Sequence, residues 1–195
     1  VAQDVGGTVE WVYDARNLMV EVKRNSATVA KYGYDPAGLL VRIEDAEGVR
    51  LLLVDPMQQI EVAEYSEAGT LIRRYLHNPD RVDMLLQQTE GGQTLYAETD
   101  ALGSVVGLSD GDGIERLSRK YDVYGAVREE FGAARSVWGY TGRRFDDALS
   151  QMGTSGGPIG YYRARWYDAG AGRFIGRDRI RYTGLPSQRS AELTR

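Results

Sequence analysis

The chain has 195 residues, room for one or two domains, and is 42% hydrophobic and 27% charged, the proportions of a folded protein. A net charge of −4, with Arg and Lys interspersed among Asp and Glu, argues against a nucleic-acid surface, which needs a clustered basic face. The absence of cysteine excludes disulfides, thiolate nucleophiles and thiolate metal sites, and no apolar run approaches the roughly 18 residues that span a membrane.

The chain starts at Val1 without a basic segment leading into an apolar one, so no signal peptide is visible and the start reads as that of an internal fragment. The first predicted strands, Thr8–Tyr13 and Leu18–Lys23, alternate apolar and polar residues with the period of two that a half-buried strand requires. The first of them runs into Trp11-Val12-Tyr13-Asp14, echoed 21 positions later by Tyr32-Gly33-Tyr34-Asp35. Val54-Asp55-Pro56 follows 20 positions further on, then a degenerate Tyr65-Ser66-Glu67-Ala68-Gly69, Thr99-Asp100-Ala101-Leu102-Gly103 and, 22 positions later, Tyr121-Asp122-Val123-Tyr124-Gly125. An aromatic strand meets a turn and an apolar strand leaves it. In the clearest unit Asp35 is placed to bond its own turn, Pro36 presets φ, and Gly38 accepts a positive φ.

Leu51–Val54 is a continuous apolar run and predicts a more fully buried strand. Second hairpin turns are expected at Asp45-Ala46-Glu47-Gly48 and Asp110-Gly111-Asp112-Gly113. The 24 glycines are spaced too regularly for long helices, each interior one costing about 1 kcal/mol relative to Ala, and only Phe145–Ser150 offers a short helix. The expectation is an all-β chain of strands about five to eight residues long. A hairpin of about 20 residues cannot bury its apolar face alone and needs stacked neighbours, so the N-terminal side should carry an exposed sheet edge.

The chemistry-bearing residues are sparse. His77 is the one histidine, which rules out a multi-histidine zinc site within the chain and leaves any Ser–His–Asp triad dependent on it. It sits in Tyr75-Leu76-His77-Asn78-Pro79-Asp80, a strand entering a turn, where packing or solvation is its expected role. Asp110-Gly111-Asp112-Gly113 lacks the further oxygen ligands of a calcium loop, Glu115 lying too near to serve. Gly156-Gly157-Pro158 has no Lys-Ser/Thr after it and is no phosphate loop. No cofactor motif and no metal-ligand set is present. Arg163, Arg165 and Arg173, among Tyr161, Trp166 and Tyr167, could stack bases, but arginines packed on rings and paired with Asp122, Asp168 or other nearby carboxylates fit the acidic composition better, and Asp178 reads as a solvated or arginine-paired carboxylate.

The Tyr-Asp-x-x-Gly units resemble the YD repeats of bacterial Rhs proteins, insecticidal toxin-complex C components and animal teneurins. The second half is more specific. Tyr96–Asp110, with its Asp100-Ala101-Leu102-Gly103-Ser104-Val105 centre, resembles the opening of the Rhs repeat-associated core. Tyr121-Asp122-Val123-Tyr124-Gly125 is similar to the next block, and Tyr140-Thr141-Gly142-Arg143-Arg144-Phe145-Asp146 to the one after. Tyr161-Tyr162-Arg163-Ala164-Arg165-Trp166-Tyr167-Asp168 and Gly172-Arg173-Phe174-Ile175 complete the set, and Tyr75-Leu76-His77 with Val82-Asp83 resembles the linking strand before the core.

The resemblance covers the chain to about Ile180. It implies twisted antiparallel β-hairpin repeats forming a shell segment, with a C-terminal plug curling inward, around a C-terminal toxin or effector. It implies YD repeats and a linking strand over 1–86, the core over 87–182, and an atypical, disordered polar tail over 183–195. The implied partners are upstream repeats and a toxin cargo, and the implied location is secreted or cell-surface. Many relatives follow Gly-Arg-Phe with an aspartic autoprotease. Here Asp178 holds the first aspartate position, but Arg179 replaces the proline and the second aspartate motif is missing. A dyad needs two carboxylates sharing a proton, and Asp146 or Asp147 is the nearest candidate partner. Residues 151–160 are an insertion relative to the pattern, expected to form a flexible loop. The remaining alternative is adhesion, with carbohydrate contacted through Trp138 or Trp166.

Overall fold

The computed structural model describes residues 2–4 and 7–178. Strands β1 (Ala2–Asp4), β2 (Gly7–Tyr13), β3 (Met19–Arg24), β4 (Ala27–Tyr34), β5 (Leu40–Asp45), β6 (Gly48–Asp55) and β7 (Ile60–Ser66) begin one sheet. It continues through β8 (Leu71–His77), β9 (Leu85–Glu90), β10 (Gln93–Thr99), β11 (Val105–Ser109), β12 (Glu115–Tyr121) and β13 (Val127–Gly132). All 13 strands pair with their neighbours in sequence as an antiparallel meander, and among the described residues β1 and β13 pair with no further strand.

The turns explain that path. Asp14, Asp100, Asp110 and Asp122 each use one carboxylate oxygen to accept the backbone N–H groups two and four residues ahead, at 2.8–3.0 Å. The third residue takes positive φ: Asn17 at 60°, Gly103 at 83°, Gly113 at 77° and Gly125 at 92°. Asp35 accepts from Leu39 at 2.8 Å, with Gly38 at φ 87°. A one-residue register shift sits just before each of these aspartates, pinning the hairpin and adding twist. Asp45 and Gly48 pair across a two-residue turn, as expected.

One face of the sheet is covered by the chain's own continuation. Gly132 turns the backbone inward so closely that a Cβ there would lie 2.2 Å from the Arg116 carbonyl oxygen, and Ala134 N–H bonds that carbonyl at 3.0 Å. Beyond it β14 (Arg144–Phe145), β15 (Ile159–Tyr162), β16 (Arg165–Asp168) and β17 (Arg173–Phe174) form a second, four-stranded antiparallel sheet, the core of the plug. Two apolar clusters fill the space between. Val9, Met19, Val22, Tyr32, Leu40, Ile43 and Leu52 of the large sheet meet Leu149, Ile159 and Trp166. Tyr75, Leu85, Leu95, Leu108 and Leu117 meet Val137 and Trp138. Each such side chain contributes about 1.5–3 kcal/mol when fully buried.

Two expectations are corrected. Leu51–Val54 is not buried throughout: Leu52 is 6% exposed, whereas Leu51 and Leu53 are 37% and 52% exposed, because they point to the face the plug leaves open. The insertion is pinned rather than loose. Thr154 donates to Asp168 through its N–H at 2.9 Å and its hydroxyl at 2.7 Å, and a Cβ on Gly170 would lie 1.8 Å from the Thr154 carbonyl oxygen. The short helix expected at Phe145–Ser150 is a single 3-10 turn, Asp147–Leu149, capped by Asp146 accepting from Ala148 N–H at 2.9 Å. Tail residues 183–195 lie outside the described residues.

Candidate functional site

The seam between plug and sheet concentrates the charged side chains. Thr141 and Gly142 adopt φ of 52° and 63°, which lays the backbone flat on the Asp83 turn between β8 and β9. A Cβ on Gly142 would stand 1.6 Å from the Asp83 carbonyl oxygen, so only glycine fits. The Asp83 carboxylate, 9% exposed, takes Arg143 at 2.5 Å and Arg163 at 2.7 Å. Arg163 also donates to the carbonyls of Gln58 and Gln59 at 3.0 and 3.2 Å, tying the plug to a second turn.

Next to this, Arg144 is buried with two glutamates of β7. Its Nη1 lies 2.6 Å from Glu61 and 2.7 Å from Glu64. Glu64 also accepts the Tyr75 hydroxyl at 2.6 Å and pairs with Arg73 at 3.3 Å. Burial drives Glu61 up, Arg144 opposing, to about 7, while at Glu64 burial is outweighed by Arg144, Tyr75 and Arg73, holding it at about 2. Asp146, also buried, is raised by desolvation against the pull of Arg144 and Arg50.

Aromatic side chains close the seam. Trp166 packs on Tyr32 at 4.6 Å between ring centroids and donates to the Tyr34 hydroxyl at 3.2 Å, which itself donates to the Met19 carbonyl at 2.8 Å. The Tyr161 hydroxyl accepts the Leu40 N–H at 3.2 Å. Tyr140 and Tyr167 donate to the carbonyls of Val123 and Tyr124 at 3.1 and 2.9 Å, and the missing side chains of Gly125 and Gly172 make room for the rings of Tyr140 and Tyr124. Tyr121 packs on Tyr140 at 5.8 Å and bonds the Val105 carbonyl at 2.7 Å. Tyr162 meets Tyr167 and Phe174 at 5.2 and 5.7 Å.

An open hairpin meander whose continuation folds under one face is a path that solved chains share. The fold is that of the toxin-complex β-shell. A crystal structure of TcdB2-TccC3-TEV matches 87% of this chain with a TM-score of 0.62 at 16% identity. A mutant form of the Photorhabdus luminescens Tc holotoxin pore matches 89% with 0.64 at 15%, and TcdB2-TccC3 matches 89% with 0.59 at 16%. This chain spans 9% of each of those chains, and at such identity the likeness establishes the fold. No family model and no curated protein matches the sequence.

Within this fold the sequence-predicted residues divide clearly. Tyr121, Gly125, Tyr140, Gly142, Arg143, Tyr161, Tyr162, Arg163, Tyr167 and Gly172 meet along the seam, as described above. The plug arginines do pack on rings, Arg165 over Phe174 at 3.7 Å and Arg143 over Tyr162 at 5.3 Å. Arg165 pairs with Asp178 at 3.2 Å, an arginine-paired carboxylate as expected, whereas Arg163, like Arg143, takes Asp83 outside the plug. Asp122 is engaged by its own turn and by Arg128 at 3.1 Å, and Asp168 by Thr154 and Ala171, so neither is available to the plug arginines. Arg173 stands opposite Asp168 in the strand register. Asp146 faces Tyr32, Arg144 and Arg50 instead of joining the Arg165–Asp178 pair. Asp146 and Asp147 line a cleft of about 590 Å³, yet the second carboxylate oxygen of Asp146 is closed off from solvent.

Adhesion through tryptophan is overturned, because Trp138 and Trp166 are each 3% exposed, inside the two clusters. His77 is a packing residue: its ring lies 4.7 Å from Trp138, its Nε2 is 2.9 Å from the Glu61 carbonyl, and burial lowers its pKa to about 4. Asp110 is fully used as a turn, with Arg116 on its other oxygen. No helix among the described residues is long and apolar enough to cross a membrane. Glu61 and Glu64 escaped the sequence reading, and Asp83 entered it only as part of the linking strand. Two acids inside the otherwise apolar strand Ile60-Glu61-Val62-Ala63-Glu64-Tyr65 were the available signal for the first two.

Proposed function

We propose that the chain is a wall-and-lid section of an Rhs-type β-shell, casing for a C-terminal toxin or effector rather than a freestanding enzyme. The observation that carries this reading is a repeat sheet whose end strands, β1 and β13, pair with no further strand among the described residues, while its own continuation folds in to cover one face. Such a sheet is suited to being extended by more repeats. A second observation supports it. Of the seven turns between β6 and β13, the four at one end of the strands (β6–β7, β8–β9, β10–β11 and β12–β13) display Met57, Val82, Leu102, Val123 and Tyr124 at 93%, 77%, 62%, 80% and 56% exposure. Hairpins repeat about every 10 Å, so these side chains form an apolar rim suited to a neighbouring wall. Upstream repeats and an enclosed cargo are the partners of this reading, and the secreted or cell-surface location belongs to it. So does the division into repeats over 1–86 and core over 87–182.

The test is a graft. Residues 7–178 replace the segment they superpose on in TcdB2-TccC3, and the assembled chain is exposed to protease. The reading predicts that the sequence following the graft is as resistant as in the parent. Digestion of that sequence at the rate of a free peptide, with the graft itself folded, would refute it.

A further inference from the structure

One guanidinium serves two buried carboxylates at this seam, and they are not equally supplied. Glu64 has Arg144, Arg73 and the Tyr75 hydroxyl; among the described residues the Glu61 carboxylate has Arg144 alone. Two further arginines, Arg143 and Arg163, line the same small cavity, but both are paired with Asp83. Glu64 lies on the same strand, Asp146 just beyond β14, Tyr75 and His77 on β8, and Tyr161 on β15. His77 is neutral where it stands, its Nε2 against the Glu61 carbonyl. Arg73 serves Glu64 and Arg50 acts on Asp146, so Glu61 is the acid with the least to keep it ionised.

We propose that Glu61, Glu64 and Arg144 form a proton-operated latch between sheet and plug, tight in mildly acidic medium and looser above neutrality. In the tight state a protonated Glu61 leaves Arg144 to Glu64. When Glu61 loses its proton, two anions divide one guanidinium in a desolvated space. This inference goes beyond the casing role and holds with or without an enclosed cargo.

The direction follows from linkage. Glu61, raised from 4.5 to about 7, contributes stability that is complete below its unfolded value and lost as pH rises through about 7. Glu64, lowered to about 2, contributes stability present above 4.5 and lost as pH falls toward 2. The latch is therefore tightest between those limits. His77, lowered from 6.5 to about 4, acts against Glu61, because its contribution is lost as pH falls from 6.5 through 4. The two cancel in part in the unaltered chain, so the test must be differential.

Unfolding constants are measured by urea titration at pH 6 and 8.5 for the chain and for Glu61→Gln, which mimics the protonated side chain. The His77 contribution divides out of their ratio. The expected result is that Glu61→Gln gains about tenfold on the unaltered chain between the two pH values. A ratio that stays constant overturns the latch. Should the variant fail to fold, the side-chain carboxyl carbon of Glu61 is titrated by NMR in the unaltered chain. A midpoint near 7 supports the proposal, and one at the ordinary carboxylate value overturns it.

Discussion

The side chain that Gly142 lacks would overlap the carbonyl oxygen of Asp83, at 1.6 Å, so the plug docks backbone against backbone. Gly142→Ala combines this clash with a φ of 63° that alanine resists. It should lower stability by about 3 kcal/mol or more, read as a urea midpoint. Gly113→Ala, at φ 77° with nothing within 4 Å of the added carbon, should cost only about 1 kcal/mol. Equal losses would mean that the Asp83 contact is not what selects glycine.

Arg144 is the cation whose removal strands charge. Arg144→Leu leaves Glu61 and Glu64 buried with their shared partner gone, and should cost about 3–5 kcal/mol at pH 7. Arg128→Leu breaks a pair in which the arginine is 67% exposed, and chemical denaturation should register less than about 1 kcal/mol. If the two variants behave alike, the buried triad holds no special place in the seam.

Asp178, paired with Arg165, is expected to be structural. A reporter fused after Arg195 should remain attached, by mass spectrometry, in both the unaltered chain and Asp178→Asn across pH 5 to 8. Release in the first, abolished in the second, would make Asp178 a working catalytic acid.

Much of the sheet was legible in the sequence because its turns are local. An aspartate, the N–H donors it accepts from two and four residues on, and a glycine or asparagine at the third position lie within five residues, so the repeat announces itself. Gly142, Arg143 and Arg163 were legible only through the resemblance. Their partner Asp83 lies about 60–80 residues away, and nothing in one strand specifies which acid an arginine will find across a seam. The same limit explains Leu51 and Leu53, whose apolar character says nothing of which face is covered. Residues 151–160 look like a linker by composition, yet Gly153, Gly157 and Gly170 serve close backbone approach.

The account stands or falls on the plug lying against the inner face of an open sheet. The chain has no cysteine, so a single thiol reports local access cleanly. Ile43→Cys and Leu117→Cys place one beneath each half of the plug, at positions that are 0% exposed, and Phe131→Cys places one at a position 63% exposed. Labelling rates under native conditions should be at least about a thousandfold slower at 43 and 117 than at 131. Comparable rates at the three positions would show the inner face bare and contradict the account.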